Sequence, residues 1–189
     1  DLAQLRAAAD LAPCPGAPAN GGATDGGATG GAVTESAAAD GGGAAGGPSG
    51  TALDGVTVTC LATGAAMPLG AAVAGADTLV NVWAHTCEPC RDELPALQEY
   101  ALRPDAARVV ALQVDGSPEA GLAMLTALGV RLPSVHDVND AARAALGAPP
   151  VLPLSYVVSG GQVRLVNPPV VFRDADEVAA TVARYRGAA

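Results

Sequence analysis

Two hydrophobic periods divide the chain. Residues 79–83 form an apolar run of strand length, preceded by Thr78, the pattern of a strand covered on both faces. Residues 108–114 repeat it, residues 132–135 give a shorter version, and residues 154–158 another. Residues 56–60 alternate as Val-Thr-Val-Thr-Cys, which predicts a strand, a turn at Thr63-Gly64 and a short partner over 66–69. Ser159-Gly160-Gly161 separates two further runs, 154–158 and 162–166, as a hairpin turn does.

Helical spacing falls between these runs. Residues 91–100 place Leu94, Leu97 and Tyr100 on one face, with a kink expected at Pro95, which lacks a backbone donor. Ser117 as N-cap and Pro118 at the first position predict a helix running to Leu128 and stopping at Gly129. Further helices are expected from Asn139 to near Gly147 and from an Asp174 cap to Tyr185, and residues 71–76 read as a connector or short helix. Strands alternating with helices require parallel strands and crossovers, and the hairpin adds antiparallel ones. The expected class is α/β, a mixed central sheet flanked by helices.

The first fifty residues break this pattern. Leu2, Leu5 and Ala9 have helical spacing that Pro13 must end. Residues 1–15 therefore read as a short helix and a Cys14-bearing segment. Residues 16–50 are dominated by Gly and Ala, lack the large side chains a core needs apart from Val33, and read as a flexible linker. Residues 51–189 are long enough to bury a single core. Net charge is −9, which argues against nucleic acid as a partner. No run of about eighteen apolar residues spans a membrane, and no signal peptide is present; an anchor helix ahead of Asp1 is left open.

The candidate chemistry sits where the strand 78–83 gives way to a helix. Cys87-Glu88-Pro89-Cys90 is a C-x-x-C pair. A sulfur at a helix N-terminus faces unpaired N–H groups that favour its anion, and the thiolate is the nucleophile. Cys87 is thus the expected attacker and Cys90 its resolving partner. Cys14 and Cys60 fit no metal-ligand spacing. They read either as a structural disulfide, which implies an oxidising compartment, or as two buried free thiols. A bridge there would contribute about 4 kcal/mol by loop entropy. Zinc needs two more ligands near the C-x-x-C, and His85 is the one neighbour in sequence; no metal and no cofactor is expected. His85 itself reads as an exposed loop histidine, His136 as a surface residue and Trp83 as core.

Val82-Trp83-Ala-x-x-Cys-x-Pro-Cys-Arg-x-Glu-Leu-Pro95 resembles the extracytoplasmic thioredoxin-like proteins of the TlpA/ResA/CcmG type, over about residues 53–185. The resemblance implies a thioredoxin fold, here with an N-terminal hairpin and a Gly/Ala-rich extension. It implies that Cys87 is the exposed nucleophile, that Cys90 is buried, and that Glu93 tunes the thiols and relays a proton; a solvated helix face is the competing reading of Glu93. It implies a cis peptide bond at Pro153, with Pro149 and Pro150 as competitors, and places the Leu152 backbone beside the C-x-x-C. Thr86, Glu88, Pro89 and Leu152 become the expected substrate contacts. Two positions depart from the family pattern: Thr86 stands where Trp precedes the first cysteine, and Leu154 stands where Thr follows the proline, changing the wall of the groove.

The expected activity is thiol–disulfide exchange outside the cytoplasm. By resemblance it is reduction of protein disulfides in cytochrome c maturation, with apocytochrome c as substrate and a membrane thiol-transfer protein as electron donor. A DsbA-like oxidant uses the same residues in reverse. A non-catalytic binding module with a static disulfide is the alternative of another class.

Overall fold

A computed structural model of the chain describes residues 1–18 and 50–187. The expected linker, 16–50, falls almost wholly outside the described residues. Helix α1 (Leu2–Ala9) is capped by Asp1, whose carboxylate accepts from the Ala3 N–H at 2.9 Å. After it come a 3-10 turn (Gly50–Leu53), β1 (Thr57–Cys60), β2 (Ala66–Pro68), α2 (Leu69–Val73), β3 (Thr78–Trp83) and α3 (Glu88–Ala101). Then come β4 (Arg108–Gln113), α4 (Pro118–Leu128), β5 (Ser134–His136), α5 (Ala141–Leu146), β6 (Leu154–Ser159), β7 (Gln162–Leu165) and α6 (Ala175–Tyr185).

The strands form one seven-stranded sheet in the order β2-β1-β5-β4-β3-β6-β7. Strands β3, β4 and β5, linked in turn by α3 and α4, run parallel, while β1 joins β5 and β6 joins β3 antiparallel. The β6–β7 hairpin closes through Gly160 and Gly161, at φ 57° and 76°. Two successive left-handed residues match the twist of the flanking strands, and Ser159 pairs with Gln162 across the turn.

Side-chain alternation along the strands divides the core in two. Leu79 and Trp83 of β3 pack with α3, α4 and α6 on one face, and Val80 and Val82 pack with α2 and α5 on the other. On the first face α1 adds Ala9, buried to 3% exposure, with Leu2 and Leu5 packed alongside. The stretch after α1 is held by an Ala12 N–H to Arg131 carbonyl bond of 2.8 Å and by a disulfide between Cys14 and Cys60. The free-thiol alternative for these two cysteines therefore falls.

Several expectations shift. The helix after the C-x-x-C starts at Glu88 instead of Arg91, because Cys87 caps it, and it runs through the exposed Pro95 to Ala101. His136 is buried at 5% exposure, not on the surface. Strand β5 lies one to two residues later than its apolar run suggested, and β5 sits between β1 and β4, so its last residue is covered. The imidazole Nε2 lies 3.1 Å from the Gly116 carbonyl. Leu154 is 1% exposed in the core of the second face, so it forms no groove wall. A second cis bond, Asn167–Pro168, joins the expected one at Leu152–Pro153; Pro149 and Pro150 are not cis.

Candidate functional site

The site lies at the carboxyl end of β3, the edge where open α/β sheets present their chemistry. Fully buried, β3 emerges at Trp83 and Ala84. The Cys87 N–H closes a turn onto the Ala84 carbonyl at 3.1 Å, and the chain enters α3. Cys87 is the N-cap in extended backbone, and its sulfur accepts from the Cys90 N–H at 3.2 Å. That bond satisfies one of the amide donors left free in a first helical turn. Pro89 occupies a position whose N–H would be unused. Cys87 and Cys90 are joined as a disulfide. Cys90 is fully buried, while Cys87 is half-buried.

A cleft of about 290 Å³ opens over Cys87, lined by His85, Thr86, Glu88 and Arg91. Thr86 and Glu88, expected substrate contacts, thus share the cleft with the sulfur. Pro89 is exposed on the adjacent first turn of α3. His85 is half-buried, not fully exposed as expected. Its ring lies against Gly116, whose φ of 76° and lack of a Cβ make room for it.

The cis Leu152–Pro153 bond immediately precedes β6, and β6 pairs with β3 up to Leu154 opposite Val82. Among the described residues, Cys87 and Leu152 are the two half-buried apolar side chains that pack against both halves of the core. Both lie at the end of the sheet where β3 stops and β6 begins. The β3–β6 pairing places the chain before Pro153 at the same end of the sheet as the Cys87 turn.

Glu93 is fully buried, which removes the solvated-face reading. It lies three residues after Cys90, on the same inward face of α3. Its Oε1 accepts from Asn81 Nδ2 at 2.6 Å and its Oε2 from the Phe172 N–H at 3.2 Å. Burial pushes the carboxyl from an ordinary 4.5 up to about 7, against the two hydrogen bonds, which pull it down. Sequence reading missed Asn81 and the Phe172 amide. The signal for Asn81 was a lone carboxamide within an otherwise apolar strand; the Phe172 contact joins residues 79 apart in sequence and left no local trace.

Cys14 and Cys60 stand away from the cleft, buried at 4% and 0% exposure in the half of the core that holds α2 and α5. Among the described residues no cluster of three or more His, Cys, Asp or Glu side chains is arranged to hold a metal ion.

No family model matches the chain, and no curated protein matches it. Solved structures do. A secreted Mycobacterium tuberculosis disulfide oxidoreductase, described as homologous to Escherichia coli DsbE, is similar with a TM-score of 0.61 at 23% identity, over 71% of this chain and 98% of that one. A thiol:disulfide interchange protein of the thioredoxin family from Chlorobium tepidum gives 0.56 at 19% identity, over 74% and 94%. A secreted thiol-disulfide isomerase from Corynebacterium glutamicum gives 0.55 at 22%, over 67% and 80%. At these identities the likeness is one of architecture, and it agrees with the motif between β3 and α3: the chain has the thioredoxin fold, with a C-x-x-C pair at the start of α3.

Proposed function

We propose that the chain is an extracytoplasmic thiol–disulfide oxidoreductase acting on protein disulfides. The observation that carries this reading is the asymmetry of the pair: Cys87 half-buried beneath an open cleft at a helix N-terminus, Cys90 fully buried behind it. One sulfur can be attacked or can attack from outside, and the other can act only on its neighbour.

In the reduced protein the Cys87 thiolate attacks one sulfur of a substrate disulfide. A mixed disulfide forms and the first substrate thiolate leaves, taking a proton from solvent. Cys90 gives its proton to Glu93 and attacks Cys87, breaking the mixed bond and releasing the second substrate thiolate. The protein is left with the Cys87–Cys90 bond, having passed two electrons to the substrate. The bend before Pro153 leads directly into β6, and Val151, beside it, is 48% exposed, a fit for apolar polypeptide.

Reduction is the favoured direction because of Glu93. A buried carboxyl near Cys90 that ionises near pH 7 disfavours a second anion there, and a dithiol that keeps its protons is the stronger reductant. Maturation of cytochrome c, with apocytochrome c as substrate and a membrane thiol-transfer protein as donor, is the setting that the family resemblance supports. The buried Cys14–Cys60 disulfide supports an oxidising compartment. Among the described residues no helix is long and apolar enough to cross a membrane.

The test is a redox titration of Cys87–Cys90 against glutathione together with insulin reduction. A potential well below about −200 mV fits the reductant, and one near about −120 mV makes the protein a DsbA-like oxidant. Equal insulin reduction by wild type and Cys87→Ser would leave only a binding module.

A further inference from the structure

Asn81 is the polar member of an apolar strand. In β3 it lies between Val80 and Val82, and it is fully buried like them. A carboxamide in such a place is costly unless its hydrogen bonds are made. Asn81 uses its donors and leaves its acceptor empty. Nδ2 gives a hydrogen to Glu93 Oε1 at 2.6 Å and faces Ser155 Oγ at 3.3 Å and the Leu154 carbonyl at 3.5 Å. Oδ1 has no partner among the described residues. The opposite orientation would set the carbonyl oxygen against a carboxylate oxygen. Glu93, an acceptor when ionised, thus dictates which way the carboxamide points, at the expense of one unmade bond.

The second carboxylate oxygen of Glu93 meets the Phe172 N–H. Both oxygens therefore face donors, and they are held from two separate elements, β3 and the segment leading into α6. A group gripped in this way keeps one orientation relative to Cys90 on its own helix. It also finds its charged form supported in a site that otherwise repels charge.

We propose that Asn81 is a positioning residue for proton transfer: its carboxamide fixes the plane of the Glu93 carboxylate and favours the ionised form that accepts the Cys90 proton. Asn81 touches neither sulfur nor substrate in this role and acts only through Glu93. The inference rests on the relay reading of Glu93 given above.

Carbon-13 titration of the Glu93 carboxyl tests it in wild type and Asn81→Leu, a change that keeps approximate volume and removes the donor. The Glu93 midpoint is expected to rise by about one pH unit in the variant. The acidic limb of the single-turnover rate of mixed-disulfide release should rise with it. A purely structural role would lower the melting temperature and leave the midpoint in place, and that result overturns the assignment. Should Asn81→Leu fail to fold, the wild type still decides. Its Asn81 side-chain N–H resonances must titrate with the Glu93 midpoint, and resonances flat through that range overturn the proposal. Glu93→Gln separates the two levels. If it leaves the rate–pH profile unchanged, the relay reading falls and the proposal with it. If it flattens the profile while Asn81→Leu leaves the midpoint alone, only the assignment to Asn81 falls.

Discussion

Cys14–Cys60 joins residues 46 apart through two buried sulfurs, whereas Cys87–Cys90 joins residues three apart with one sulfur half-buried at a helix N-terminus. The bond is chemically the same in both places. Its surroundings assign it two different jobs. Closing a long loop removes much conformational freedom from the unfolded chain, so opening the first bond loosens the whole molecule. Closing three residues removes little, and α3 already holds them in place, so the second bond can open and close while the fold persists. Access points the same way, since an incoming thiolate can reach Cys87 through the cleft and must disrupt the core to reach Cys14 or Cys60.

The sharpest way to break this contrast is to exchange the effects by mutation. Cys87→Ser should bring insulin reduction down to the uncatalysed rate, measured as the onset of turbidity, with no loss of folded circular dichroism. The double variant Cys14→Ser/Cys60→Ser should keep most of the activity. In its place it should lose stability, by up to about 4 kcal/mol on the loop-entropy estimate for this separation, read from denaturant midpoints. A double variant that is inactive yet as stable as wild type would erase the division of labour.

The next effect concerns Glu93, the buried acid on the helix that carries Cys90. Glu93 has its carboxyl raised to about 7 in the folded chain. A raised acid binds its proton more tightly in the native state, so the stability it contributes is complete below about pH 4.5 and is lost as pH climbs to about 7. The change is about 3 kcal/mol across that window. Glu93→Gln should flatten this part of the stability–pH curve, as followed by urea denaturation at several pH values. A wild-type curve that rises from pH 5 to 7 on account of Glu93 would contradict the sign.

The smallest effect lies in the N-terminal arm. Arg131 and Asp10 form an ion pair at 3.2 Å, with both side chains about two-thirds exposed. Arg131→Ala should therefore cost less than about 1 kcal/mol, detectable as a slight fall in melting temperature. A loss comparable to that of the disulfide would mean that charge, and not the covalent link with the Leu2 and Leu5 packing, keeps the arm in place.

What the sequence made legible follows the range of the interactions. The strand 78–83, the Ser117 and Asp174 caps and the Gly160-Gly161 turn are local patterns, and each stands where its residues predict. The C-x-x-C at the start of α3 was equally readable, since an N-cap position is defined by its immediate neighbours. His136 was misplaced because a strand only three residues long offers too little alternation to fix its ends. The thiol-tuning role of Glu93 came by resemblance alone and its burial left no local signal, because its neighbours Asp92 and Arg91 are exposed and the helix face by itself was ambiguous. Its partners Asn81 and Phe172 come from β3 and from the far end of the chain, and no short-range rule connects them.

The bond between Cys14 and Cys60 makes a ring of everything between them. A protease that cuts once inside that ring turns one polypeptide into two, yet the pieces travel together until a reductant separates them. Helix α1 would then stay tethered to β1 after cleavage, and a nicked sample would run as a single species on a non-reducing gel and as two on a reducing one.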